Sequence, residues 1–247
     1  MLGQSVVATA QAELAWPDLC ARVDQATSRA ANEVRRYLVR LNDQAAGSEI
    51  FRFWRDGGHV RVVVKTELEG SVLVFPADFK HCRHEWWREE SGRLQLIEVE
   101  GETRYAVPFK PDYQIHVVRD PERGEVVYRG KSVFGAREQR FPEDTSAVTP
   151  WSVRTVDYTR LLDLFGYGAY RIQSKVAGRG MVDGHEVIHY AMGGQWPRHL
   201  WYDDEGKMVR FCAKEAFGTY VETIYEPYVD LDTMAAELDQ SCAEQFQ

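Results

Sequence analysis

Between residues 34 and 134, apolar and polar side chains alternate in one short stretch after another, and small polar turns separate the stretches. HVRVVVKTEL (59–68) is the clearest case. Val60, Val62 and Val64 fall on one side of an extended chain, and His59, Arg61 and Lys65 fall on the other. A period of two is what a strand with one buried face requires, because successive Cβ atoms point to opposite faces of the pleat. Asp56-Gly57-Gly58, just before it, is a hairpin signal. Stretches 34–41, 49–55, 71–75, 78–89, 93–100, 102–109, 113–120 and 125–134 read the same way. Between them lie turns at Asn42–Gly47, Glu90-Ser91-Gly92, Glu100-Gly101, Lys110-Pro111-Asp112 and Pro121–Gly124. Consecutive strands joined by connections this short pair antiparallel, since a parallel pair needs a long crossover. The expected fold is mainly β: a single strongly curved antiparallel sheet or a partly open β-barrel.

Interruptions of the pattern place the other elements. Leu19, Val23, Ala26 and Ala30 follow helical spacing, so part of 17–32 is expected to be an N-terminal helix. Residues 135–155 are less regular and carry Pro142 and Pro150. DYTRLLDLF (157–165) reads as a short helical segment near 156–165, either a lid over a barrel mouth or a plug filling the open side of the sheet. Further strands follow, and 231–246 has the cap and spacing of a C-terminal helix. The domain reading is 1–33 tail and helix, 34–228 β-barrel-like domain, 229–247 C-terminal helix.

The chain has 30 basic and 38 acidic residues, a net charge of −8, which argues against nucleic acid as a partner. No apolar tract is long enough for a membrane span. The four cysteines, at 20, 82, 212 and 242, show no zinc-type spacing, and their pairing is open. MLGQSVVATAQA at the start has small residues at its end but no basic n-region. It reads either as a clipped export signal or as a plain tail.

The pieces YLVRLNDQAAG (37–47), RHEWWREESGRL (83–94), DGHEVIHYAM (183–192) and LWYDDEGKMVRF (200–211) occur in an order that resembles an uncharacterised bacterial family of exported proteins, a domain of unknown function. The resemblance spans roughly residues 34–226. It implies a curved antiparallel sheet akin to lipocalins and lipoprotein carriers, and a periplasmic or secreted address; a cytoplasmic one stays open, since no complete signal peptide is visible. It brings no catalytic residues.

HCRHEWW (81–87) is the densest polar-aromatic run. On one strand, His81, Arg83, Glu85 and Trp87 share a face and Cys82, His84 and Trp86 the other, so the two histidines share no metal unless a bulge intervenes. Cross-strand ion pairs on a wetted face are the plainest reading of the charged row. His185 and His189 share a face, about 13 Å apart on a strand, too far to chelate one ion alone. No metal and no cofactor are expected. Two functions remain. One is binding of an apolar or amphipathic small molecule, such as a lipid, in a concave pocket, with Arg83, Trp87, Trp151, Tyr158 and Trp201 as ligand-binding residues. The other is a cofactor-independent enzyme acting on a hydrophobic or aromatic substrate, a lyase, isomerase or hydrolase, with His81, Glu85, His185, His189 and Tyr202 as catalytic acid-base groups.

Overall fold

A computed structural model of the chain describes residues 18–26, 30–69, 71–72, 75–76, 78–106, 112–153, 161–163, 170–182, 185–193, 197–214, 219–228 and 242–246. One helix, α1 (Leu19–Ala26), precedes the strands. The first arm of the sheet contains β1 (Glu33–Leu41), β2 (Gln44–Asp56), β3 (His59–Leu68), β6 (Phe79–Glu90), β7 (Arg93–Tyr105), β8 (Tyr113–Asp120), β9 (Glu125–Ser132) and β10 (Gly135–Pro142). The small hairpin β4 (Ser71–Val72) and β5 (Phe75–Pro76) lies between β3 and β6. The second arm contains β11 (Ser146–Val148), β12 (Leu161–Asp163), β13 (Tyr170–Val182), β14 (His185–Gly193), β15 (Arg198–Tyr202), β16 (Met208–Lys214) and β17 (Tyr220–Tyr225).

Fifteen of these strands form one sheet in the order β10-β9-β8-β7-β6-β3-β2-β1-β17-β16-β15-β14-β13-β12-β11. All its pairings are antiparallel except β11–β12. The first and last strands of that order, β10 and β11, are joined by residues 143–145 alone. A connection so short brings the two edges close together, so the sheet must curl on itself. Its inner face carries a continuous apolar core that runs from Tyr128 on β9 through Trp87, Val62, Phe53 and Tyr37 to Tyr202 and Met192 on the second arm.

Turn chemistry sets the hairpins. Asn42 and Asp43 both have positive φ, 48° and 65°, the geometry of a tight two-residue hairpin turn. Strand β2 therefore starts at Gln44, inside the segment expected to be a turn. Gly47 follows a register shift between β1 and β2, and a Cβ there would lie 2.1 Å from the Glu67 carbonyl oxygen on β3. Glycine is the only residue that lets the two backbones approach so closely.

Several expectations need correction. The turn expected at Glu100-Gly101 is absent: β7 is continuous, and Gly101 sits in its middle, where a Cβ would meet Ile115 Cγ1 at 2.8 Å. Residues 135–142, read as irregular, form the edge strand β10, exposed along nearly its whole length. Arg137, Arg140 and Pro142 on it discourage edge-to-edge pairing. Residues 161–163, expected to be helical, are strand β12; the rest of the lid or plug segment, 156–160 and 164–165, lies outside the described residues. Of the expected C-terminal helix, Cys242–Phe246 is a 3-10 turn, and 231–241 lie outside the described residues.

Helix α1 lies on the outer face. Its Leu19, Cys20 and Val23 pack on Val63 and Cys82. Glu102 accepts hydrogen bonds from the backbone N–H groups of Leu19 (2.8 Å) and Cys20 (3.3 Å), donors that the first turn of a helix leaves without partners. A disulfide joins Cys20 to Cys82 with the Cα atoms 5.2 Å apart.

Candidate functional site

Register across β1, β2, β3, β6, β7 and β8 lines up inner-face side chains in cross-strand rows. One row reads Tyr37, Glu49, Thr66, His81, Thr103, Tyr113, each opposite the next. Two residues further into the sheet lies the row Arg35, Phe51, Val64, Arg83, Gly101, Ile115. Beyond that is Phe53, Val62, Glu85, Val99, Val117. On the other side of the polar row, toward the end of the sheet, lie Leu68, Phe79 and Tyr105. The inner face thus runs from an aromatic end, through a belt of hydrogen-bonding groups, to a buried ion pair.

The ion pair is enclosed. Glu85 is fully buried and Arg83 is 4% exposed. Glu85 accepts from Arg83 Nε through one oxygen; through the other it accepts from the indole N–H groups of Trp87 (2.8 Å) and Trp151 (2.7 Å). Arg35 donates to the Trp151 carbonyl at 2.8 Å. The row His81, Arg83, Glu85 is therefore not a wetted face. Its charges are buried and answered by hydrogen bonds, as buried charges must be.

The polar belt has spare capacity. His81 is 7% exposed. Its Nδ1 is 2.8 Å from Thr103 Oγ1, and its Nε2 has no hydrogen-bond partner among the described residues. Burial first, and the nearby Arg83 cation second, push its pKa down to about 3, so the ring is neutral. Glu49 accepts from the Thr66 hydroxyl at 2.9 Å. Burial raises its pKa, against the opposing pull of Arg83 and Thr66.

At the aromatic end a groove of about 510 Å³ is lined by Glu67, Leu68, Glu69, Asp78, Phe79, Lys80, Arg104, Tyr105 and Ala106. Phe79 meets Tyr105 at a tilt, 5.2 Å between centroids, and lies nearly parallel to the His81 ring at 6.3 Å. The middle of the inner face is, by contrast, filled with its own side chains: Trp87, Trp151, Tyr37, Tyr128 and Tyr202 are fully buried.

The expected site residues divide between the faces. His81, Arg83, Glu85, Trp87, Trp151 and Tyr202 all belong to the inner side, and Tyr202 packs edge-on against Tyr190 at 5.7 Å. His189 and Trp201 lie on the outer face, stacked at 4.3 Å, with Arg210 over the indole at 4.9 Å. His189 Nε2 is 2.8 Å from His199 Nδ1. Burial, then His199 and Arg210, lower the His189 pKa to about 4. His185 is the first residue of β14, opposite Val182. Tyr158 lies outside the described residues. The five acid-base candidates thus do not gather on one side. Glu49, Thr66, Thr103, Leu68, Phe79 and Tyr105 enter the site unforeseen, since they are brought to it by the registers of β2, β3, β6 and β7 taken together.

Among the described residues, one group of three could offer ligands to a metal: Glu98, Glu100 and His116 on the outer face. His116 is already paired with Glu98 at 2.7 Å, and Glu100 with Arg22 at 3.1 Å, which describes an ion-pair network.

Residues 37–225 match the model of a family described as a domain of unknown function, DUF6134. The chain belongs to that family. No curated protein matches it. Among solved structures it is similar to the crystal structure of a β-barrel-like protein of domain of unknown function DUF1849 from Brucella abortus. The TM-score is 0.51 and the identity 9%, over 78% of this chain and 95% of that one. At that identity the likeness speaks to the fold: a large curled antiparallel sheet that is not closed. No helix among the described residues is long and apolar enough to cross a membrane.

Proposed function

We propose that the DUF6134 chain binds an apolar or amphipathic small molecule in the groove at the aromatic end of its sheet. The observation that carries this reading is the order of side chains on β3, β6 and β7. Leu68, Phe79 and Tyr105 stand in the groove among charged neighbours, and the next row of the inner face, just behind the groove's lining, holds buried His81 with a ring nitrogen that has no partner among the described residues. An apolar tail covers these three side chains, and a compact hydroxyl or carboxyl head meets His81 Nε2 beside Thr103 and Thr66. A buried polar atom without a partner costs free energy that such a head recovers. The interior itself is packed, so the molecule is held at the end of the sheet rather than deep within a barrel.

The catalytic reading has less to stand on. Glu85 is consumed by three donors. His189 lies on the outer face, away from His81, and no acid or base among the described residues hydrogen-bonds the free nitrogen.

The test is native mass spectrometry of the protein from its own host, with solvent extraction of whatever dissociates, followed by titration with a pyrene-labelled fatty acid. The expected result is a stoichiometric amphiphile, saturable probe binding, and roughly tenfold weaker binding in Phe79→Ala, which loses most of an aromatic contact surface. His81→Ala should alter the preference among head groups and leave plain hydrocarbon probes unaffected. Protein that arrives empty and gives no saturable probe signal would sink the reading.

A further inference from the structure

The hairpin of β9 and β10 ends in Val133 and Phe134, which are 79% and 77% exposed. Single exposed apolar residues are ordinary, but two large neighbours at the tip of an edge hairpin are not a core that slipped outward. The turn is built to hold them out: the Phe134 N–H donates to Ser132 Oγ at 3.1 Å, and Gly135 takes φ 115°, which favours glycine. Strand β10 beside it is exposed on both faces, whereas β9 is paired to β8 as far as Ser132, so it is the turn and the edge strand that face solvent.

Charge around the tip runs against the rest of the chain. Residues 125–142 carry Arg129, Lys131, Arg137 and Arg140 against Glu125 and Glu138, a balance of +2, whereas the whole chain carries −8. Both carboxylates are engaged by Arg129 and Arg140, at 2.7–3.1 Å. Lys131 and Arg137 flank the tip itself and are exposed. Apolar side chains at an extremity with cations just behind them match the water–lipid boundary of an anionic membrane, where the rings enter the acyl region and the cations meet phosphates.

Position gives this tip a purpose. Ser132 pairs with Tyr113, which ends the row containing His81. The tip and the groove therefore leave the sheet at the same end, two to four strands apart, roughly 10–20 Å at the spacing of paired strands. We infer that the Val133–Phe134 tip is a membrane-docking element that sets the groove end of the protein against an anionic lipid surface. The docking stands on the tip's own residues; its use for loading or delivering the groove's ligand rests on the function proposed above.

The experiment uses the full chain with Phe134→Trp as a reporter, and vesicles of phosphatidylcholine alone or with about one third phosphatidylglycerol. Emission of the new indole is read against the parent protein, since the chain has other tryptophans. The expected result is a blue shift and co-sedimentation with the anionic vesicles, both diminished by raised salt because the cationic share is screened. The double variant Val133→Ser/Phe134→Ser should sediment roughly tenfold less or worse, since it loses both apolar anchors. Its binding of the pyrene fatty acid without vesicles should match the parent's, which separates failure of docking from failure of the ligand site. An indole unmoved by either vesicle overturns the inference, as does a double variant that sediments like the parent. A blue shift that grows with protein concentration in the absence of lipid also overturns it, and would make the tip a contact between copies.

Discussion

At the scale of single residues, His81 couples the site to stability. Unfolded, its ring titrates near 6.5; folded, burial and Arg83 bring it to about 3. Between those values the unfolded chain holds a proton that the folded chain refuses, so stability is full above pH 6.5 and falls as pH drops toward 3. From pH 7 to pH 5 the loss from this one group is about 2 kcal/mol, since each unit is worth about 1.4. Urea unfolding at the two pH values should show that difference between the native protein and His81→Gln, an uncharged replacement that can still reach Thr103. His84, lowered to about 3 by burial, Arg61 and Arg22, adds a similar loss in both proteins and cancels in the comparison. Gly47 acts through sterics alone. Its Cβ position lies 2.1 Å from a carbonyl oxygen, so Gly47→Ala must separate β2 from β3. The expected cost is about 2–4 kcal/mol, seen as a lowered thermal midpoint. Sequence reading saw Gly47 only as part of a turn, because the oxygen it must avoid is on a strand paired through another turn. It saw Arg83 and Glu85 as wet for a related reason: local alternation names a face but not what covers it, and Trp151, which covers Glu85, is 66 residues away.

At the scale of elements, period two with glycine punctuation was enough to identify most strands of the first arm, and helical spacing was enough for α1. The errors have a physical pattern. Gly101 looked like a turn because glycine usually marks one, yet here it makes room for Ile115 on the neighbouring strand. Strand β10 escaped notice because an edge strand exposed on both faces has no reason to alternate. The position of α1 was not legible at all. It depends on Cys20 meeting Cys82 and on Glu102 receiving the helix's first N–H groups, contacts that span 62 and more residues. The disulfide therefore carries an element-scale prediction. Closing a loop of 62 residues removes chain entropy from the unfolded state worth about 4 kcal/mol in the loop-closure model. Reduction, or Cys20→Ser with Cys82→Ser, should lower the unfolding free energy by about that amount. It should also make residues 18–26 more open to limited proteolysis while the sheet stays intact, since only the Glu102 hydrogen bonds, the packing of Leu19 and Val23 on Val63 and half-exposed ion pairs such as Asp24–Lys65 then hold the helix. Equal urea midpoints with and without reductant would mean that the bridge does not form in the isolated protein. A bridge that does form fits a chain that matures in an oxidising compartment, the address proposed for it on its resemblance to exported proteins.

At the scale of the whole molecule, the question is what keeps a fifteen-stranded open sheet curled. The connection from β10 to β11 brings the edges together, but a covalent link of three residues does not by itself fix the angle between two arms. Trp151, just beyond β11, does. Its indole N–H reaches Glu85 on β6, its carbonyl takes a hydrogen bond from Arg35 on β1, and its ring meets Phe53 and Trp87 edge-on at 5.3 and 5.9 Å. One residue from the far edge is thus fastened to three strands of the opposite arm, by its side chain to β2 and β6 and by its backbone carbonyl to β1. Arg119 on β8 supports the same closure by donating to the Glu143 and Thr145 carbonyls. Two substitutions separate the polar from the packing contribution. Trp151→Phe keeps most of the ring and leaves Glu85 with two donors instead of three, at a cost of about 1–3 kcal/mol. Trp151→Ala opens a cavity beneath Phe53 and Trp87 as well, at about 3–5 kcal/mol. If the indole fastens the arms, amide exchange in Trp151→Ala should quicken first in β11, β12 and β13, the far edge that loses its anchor, while β3 and β6 keep their protection until global unfolding. Uniform quickening across both arms would show instead that Trp151 is one more core residue, and that curvature comes from the twist of the strands themselves.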